Sequence, residues 1–134
     1  MLNRFWSTRP LSLDLGLLAM RVALAVFMLP HGYSKLAHFT ERMDNFSDPL
    51  GIGHLPSLTL VVFAEFFCSI LLGLGLFTRF ALLPLIVAMA TAAFVVHAGD
   101  PFGDKEKALL YLLGYLGLFF TGAGGLSLDR LLKK

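Results

Sequence analysis

Four apolar runs, each long enough to cross a lipid bilayer and each ended by a polar break, constrain this chain more than any other feature. In lipid, the backbone N–H and C=O groups of such a run must bond within the segment itself, so it folds as a helix. The runs cover about residues 13–36, 57–77, 80–98 and 105–121. Lengths of ~17–24 residues match a hydrocarbon core of ~30 Å. Between the second and third runs lies only Thr78-Arg79, and between the third and fourth only GDPFGD. Breaks this short make antiparallel neighbours. The sequence therefore predicts an all-α protein: an integral membrane four-helix bundle of up-down topology, with residues 1–134 as a single domain.

Composition narrows the function classes. The 134 residues are 57% hydrophobic and 15% charged, with a mean hydropathy of +0.76. A soluble domain is about half apolar and about a quarter charged. A net charge of +2, spread along the chain, offers no surface for nucleic acid. Cys68 stands alone, which excludes an internal disulfide and a C-x-x-C exchange motif. Redox chemistry would need a bound partner molecule, with no covalent cofactor indicated. Residues 1–12 open like a secretory signal, with Arg4, Arg9 and the pair Phe5-Trp6. The following run is too long for one and contains Arg21, so it reads as a retained first helix with Ser12 as its N-cap.

Positive charge sets the orientation. Arg4, Arg9, Arg79, Arg130, Lys133 and Lys134 fall on the side of the termini. Lys35, Arg42, Lys105 and Lys107 fall on the other, mixed with acids. The positive-inside rule then puts both termini in the cytoplasm and the long 37–56 loop outside.

Several ionisable residues interrupt the apolar runs. In Arg21–Leu36 (RVALAVFMLPHGYSKL), a spacing of 100° per residue lines up Arg21, Met28, Gly32 and Lys35, with His31 at the edge of the stripe. Glu65 interrupts the second run. A charge at bilayer depth costs at least ~2.5 kcal/mol, so it faces a protein partner or a wet cavity. At 1.5 Å per residue, Lys35 lies ~2 Å, His31 ~8 Å and Glu65 ~12 Å below the outer ends of their helices, and Arg21 ~20 Å or more. His97 and Glu106 sit at outer helix ends. The bland reading is that buried pairs fix helix register, that His97 and Glu106 anchor the interface, and that Tyr111 and Tyr115 pack.

The chemical reading is an outward-half cleft. A quinone ring needs hydrogen-bond donors at its carbonyls and a group that exchanges protons. Glu65 and His31 are the candidate catalytic pair. Arg21, Gly32, Lys35, His97 and Tyr111 are the candidate ligand-binding residues. Either Arg21 orients Glu65, or Glu65 pairs with His31, which is nearer in depth. No H-x-x-x-H or E-x-x-H spacing supports a metal site.

Three stretches carry a family resemblance: R-x-A-L-A-x-x-M-L-x-H-G-x-x-K-L at 21–36, A-E-F-x-x-x-I-L-L-x-L-G-L-F-T-R at 64–79, and G-x-G-G-L-S-L-D at 122–129. With these the chain resembles the DoxX family of small bacterial inner-membrane proteins. The resemblance implies a multi-pass protein of the bacterial inner membrane, placed in redox or oxidative-stress complexes. Some relatives are subunits of thiosulfate:quinone oxidoreductases, and others associate with superoxide- and sulfur-handling enzymes. It carries over to Arg21, His31, Gly32, Lys35, Glu65 and Arg79. The expected function is a membrane subunit of a quinone-linked redox, oxidative-stress or sulfur-oxidation system, not catalytic alone, with membrane lipid, a quinone, protein partners and a further copy of itself as contacts. Its rivals are a non-catalytic anchor or assembly factor that recognises its partner through loop 37–56, and a small transporter.

Overall fold

The computed structural model describes residues 2–132, and all regular structure among them is helical. The elements are α1 (Leu2–Trp6), α2 (Leu13–Ala37), α3 (Phe39–Arg42), α4 (His54–Leu74), α5 (Thr78–Val96), α6 (Phe102–Thr121) and α7 (Leu128–Leu132). By length and composition α2, α4 and α5 can each cross a membrane, with 25, 21 and 19 residues. The fourth expected span differs. Helix α6 has 20 residues, but it opens with Asp104, Lys105, Glu106 and Lys107, so its apolar part starts only at Ala108.

Helix α2 begins as the sequence predicts, with the Ser12 hydroxyl accepting from the Leu15 N–H at 3.3 Å. Its buried residues are Leu17, Arg21, Ala25, Met28 and Gly32; of the predicted stripe Arg21, Met28 and Gly32 are buried, and Lys35 and His31 are half-buried. Val22, Val26 and Phe27 face outward. Helix α2 packs on α4, α4 on α5, α5 on α6, and α6 returns to α2. The core between them holds Met28, Leu72, Leu82, Leu85, Tyr115 and Leu118.

The contact between α2 and α4 is set by small residues. A Cβ on Gly32 would meet the Glu65 backbone, one on Gly73 would stand 3.1 Å from Ala25 Cβ, and one on Gly75 would meet the Arg21 guanidinium. The matched positions descend on α2 as they rise on α4, so the two helices are antiparallel. Each of α4 and α5 contains a π-helical turn, at Phe63–Cys68 and at Ala92–Val96. Such turns are rare and gather at functional sites.

Two helix starts correct the sequence reading. Helix α4 starts at His54, so Ser57 lies inside it, and its hydroxyl donates to Asp48 Oδ1 at 3.0 Å instead of capping the helix. Helix α5 starts at Thr78, with Phe77 in the left-handed region at φ 48°. Between them, the N–H groups of Gly75 and Leu76 bond back to Leu72 and Leu71, with Gly75 at φ 71°. This is the glycine-ended Schellman stop.

The segment after α6 folds back over the face that carries the termini. The Gly125 N–H donates to Asp14 Oδ1 at 2.8 Å, and the Asp129 N–H to the Gly75 carbonyl at 2.8 Å. Asp129 then caps α5 from outside it, accepting from the Phe77 N–H (2.7 Å), the Thr78 N–H (3.0 Å) and the Thr78 hydroxyl (2.7 Å). Lys133 and Lys134, which the orientation argument also uses, lie outside the described residues.

Candidate functional site

Lys35 and Glu65 form an ion pair, Nζ to Oε1 at 2.7 Å, with side chains 20% and 8% exposed. Gly32 makes this possible, because its missing side chain lets the α4 backbone at Glu65 come against α2. Lys35 lies three residues outward of Gly32. Helical side chains lean toward the N-terminus, which here is toward the bundle centre, so the long lysine reaches down to the carboxylate. Taking the outer ends of the two helices as level puts Lys35 and Glu65 ~10 Å apart in depth; with Gly32 against Glu65, the Lys35 backbone stands only ~4.5 Å outward of it.

Both residues line a cavity of about 570 Å³. Its walls are Leu60 and Val61 of α4 and Val87, Thr91 and Ala92 of α5, and its roof is Phe46, Leu50 and Ile52 of the 43–53 loop. Asp48 ties the roof down. Its carboxylate accepts from the Ile52 and Gly53 N–H groups, both at 2.9 Å, and from Ser57. Burial acts to raise the Asp48 carboxyl, but the Gly53 N–H, the Ser57 hydroxyl, the Ile52 N–H and nearby His54 outweigh it and hold the group below the usual carboxylate range. Helix α3 and this loop replace the undivided loop of the sequence reading. The one signal for the loop's organisation is Asp48-Pro49 ahead of GIG, a run of turn residues.

Of the residues nominated from the sequence, Lys35 and Glu65 line this cavity, and Arg21, His31, Gly32, His97 and Tyr111 do not. His31 turns to α6 instead, its ring edge-on to Tyr111 with centroids 6.4 Å apart, and Tyr111 stacks on Tyr115 at 6.0 Å. Glu65 remains within electrostatic range of all three. His97 lies at the outer end of α5, where its Nδ1 meets Asp100 Oδ2 at 2.8 Å on the surface. Glu106 is exposed.

Arg21 has a different partner from the one the sequence suggests. It is 1% exposed and donates from Nη2 to the Leu126 carbonyl, with Nη1 against Gly75. Fourteen residues of helix separate it from Lys35, ~21 Å along the axis, so it does not orient Glu65. Arg79, also carried by the resemblance, donates from Nε to the Phe119 carbonyl at 3.0 Å and ties α5 to the end of α6. Among the described residues, no group of three or more His, Cys, Asp or Glu side chains is placed to hold a metal ion.

Chemically, the arrangement offers a mostly apolar cavity between α4 and α5 with an ammonium donor and a carboxylate in its lining. An ion pair there can open to a polar ligand oxygen, and the carboxylate can exchange a proton.

The DoxX family model matches residues 16–98, which contain α4, α5 and nearly all of α2. The chain is 38% identical to an uncharacterized protein of Haemophilus influenzae over 118 residues, 83% of this chain and 86% of that protein. It is 26% identical to the inner membrane protein YqjF of Escherichia coli over 127 residues, 90% of this chain and 95% of that protein. A second uncharacterized Haemophilus influenzae protein is 31% identical over 103 residues, 72% of this chain and 67% of that protein. No solved structure matches the chain. With its helices long and apolar enough to cross a bilayer and a family match over more than half its length, this membrane protein belongs to the DoxX family.

Proposed function

We propose that the chain is a membrane subunit of a quinone-linked redox system and binds a quinone-like, lipid-soluble ligand in the cavity that Lys35 and Glu65 line. The observation that carries this reading is the ion pair itself. It places one donor and one proton-exchanging group in the lining of a mostly apolar cavity of about 570 Å³. A ring of quinone size fits a chamber of this volume and polarity. Lys35 Nζ donates to a ring carbonyl oxygen, and the Glu65 carboxylate, released from the pair, takes protons from water and passes them to the reduced ring oxygens as electrons arrive. The electrons come from a partner oxidoreductase.

The same reading places the chain in a bacterial inner membrane, as for the Escherichia coli relative, with α6 crossing beside α5 and both termini in the cytoplasm. Orientation is supported by Arg4, Arg9, Arg79 and Arg130 on the termini side. On the other side Lys35 is already neutralised by Glu65.

The test is titration of a short-chain quinone into detergent-solubilised protein, followed by fluorescence. Glu65→Gln folds and binds at least about tenfold more weakly, the cost of losing one charge-assisted hydrogen bond. Equal affinity in the variant removes the assignment.

A further inference from the structure

The proposed ligand cavity leaves two sequence motifs unused, the Arg79 that ends L-G-L-F-T-R and the closing G-x-G-G-L-S-L-D. On the termini face these motifs build a second pocket, of about 450 Å³. Phe77, Arg79 and Phe80 line it from the start of α5, and Gly122, Gly124 and Arg130 from the chain that follows α6.

The charge in this pocket is unbalanced. Asp129 also lines it, but its carboxylate is occupied by the Phe77 and Thr78 donors. Arg79 is fixed through Nε on the Phe119 carbonyl, and its Nη2 lies beside Gly122, where a Cβ would come within 3.2 Å. Gly122, at φ 82°, leaves that edge of the guanidinium open. The Arg130 side chain makes no hydrogen bond or ion pair among the described residues. A planar guanidinium with unspent donors matches the oxygens of a phosphate. Beside the arginines, Phe77 and Phe80 are 59% and 76% exposed, at the membrane end of a helix built to cross the bilayer.

We propose that this pocket binds the phosphodiester headgroup of an anionic phospholipid. Arg79 and Arg130 hold the phosphate oxygens, and Phe77 and Phe80 lie against the acyl chains. A free phosphate shares the first half of this chemistry but gives the two exposed rings nothing to meet. The site is separate from the Lys35–Glu65 cavity: Glu65 lies nine residues, ~13.5 Å of helical rise, from the Leu74 end of α4, and Arg79 lies beside that end, in the first turn of α5.

Native mass spectrometry of the full chain, released from mixed micelles with equal phosphatidylglycerol and phosphatidylethanolamine, tests the proposal. Wild type retains phosphatidylglycerol preferentially. Arg130→Gln, which breaks no internal contact, lowers that retention about fivefold, as expected for one cationic contact to an anionic lipid. Arg79→Gln with Arg130→Gln abolishes the preference, while Arg9→Gln, on the same face, leaves it intact. Equal retention of the two lipids by wild type, or an unchanged preference in Arg130→Gln, overturns the proposal. Displacement of phosphatidylglycerol by millimolar inorganic phosphate overturns it too, because the ligand is then a soluble phosphate.

Discussion

Gly32 lies backbone to backbone against Glu65: a Cβ built on the glycine falls 2.6 Å from the Glu65 carbonyl carbon and 2.6 Å from the Phe66 nitrogen. Neither atom can give way, since both belong to the π-helical turn of α4. This approach brings Lys35 over the Glu65 carboxylate, and with it the polar part of the cavity lining comes into being.

Gly32→Ala therefore has to part α2 from α4. The expected loss is about 1–3 kcal/mol, the range for overpacking a filled interior. It shows as a lower thermal midpoint in detergent together with weaker quinone binding. Gly16→Ala is the control. It has open space around its position in the same helix, and alanine there is worth roughly 0.5–1 kcal/mol in the favourable direction.

The two halves of the ion pair are not equivalent. Lys35 is the more exposed partner and can turn toward water when Glu65 is neutral, whereas Glu65 has no such escape when Lys35 is gone. Lys35→Met is thus the more damaging change, on the order of 3 kcal/mol for stranding a buried charge, and Glu65→Gln the milder one. Thermal unfolding of the single and double variants checks the order. In the double variant most of the Lys35→Met loss is recovered.

Acid acts on the termini face through Asp129. Burial works to raise its carboxyl, but the Thr78 hydroxyl and N–H, the Phe77 N–H and the Arg21 charge outweigh this and hold it below the ordinary value of 3.8. A depressed carboxyl stabilises the fold fully above the unfolded value and loses that contribution as pH falls through the folded one. Asp129→Asn should flatten the part of the acid-stability curve below about pH 4 that this group supplies. At neutral pH the substitution replaces a charged acceptor of the Phe77 and Thr78 donors by a neutral one and costs about 1 kcal/mol. Thermal unfolding from pH 7 down to pH 3 reads both effects.

Arg21 and Glu65 report on different ends of the molecule. Arg21→Gln removes the charged donor from the Leu126 carbonyl and loosens the 122–129 segment. Hydrogen exchange at Leu126–Asp129 is expected to rise by one to two orders of magnitude, in line with the loss of a charged buried hydrogen bond. Quinone affinity at Lys35 and Glu65 is expected to stay within about twofold, as for sites without shared partners. A parallel loss of affinity would restore a coupling between the two residues.

The parts of this structure that follow from local rules were legible in the sequence. Apolar runs located α2, α4 and α5, Ser12 marked the start of α2, and the 100° spacing picked out Arg21, Met28 and Gly32 as one buried stripe. The pairing of Lys35 with Glu65 was not legible, because it depends on an α4 backbone packed so close to Gly32 that no Cβ fits, and on which way a lysine leans. A π-helical turn adds a residue to the ladder and rotates everything after it by ~100°, so a fixed helical period misassigns faces beyond Phe63. Arg21 went to Leu126, 105 residues away, and Asp129 to Thr78, 51 residues away. Periodicity holds no information about contacts of that range. In the 43–53 loop the turn residues from Asp48-Pro49 to Gly53 marked a fold in the chain, but not that the Asp48 carboxylate would hold it as a roof by accepting from Ile52, Gly53 and Ser57.

The most direct measurement is native mass spectrometry of the protein extracted gently from its own membrane, wild type beside Glu65→Gln. A quinone retained by the wild-type chain and absent from the variant is the predicted result. A wild-type chain that carries no quinone, or a variant that holds it equally well, would contradict a ligand site built on Lys35 and Glu65.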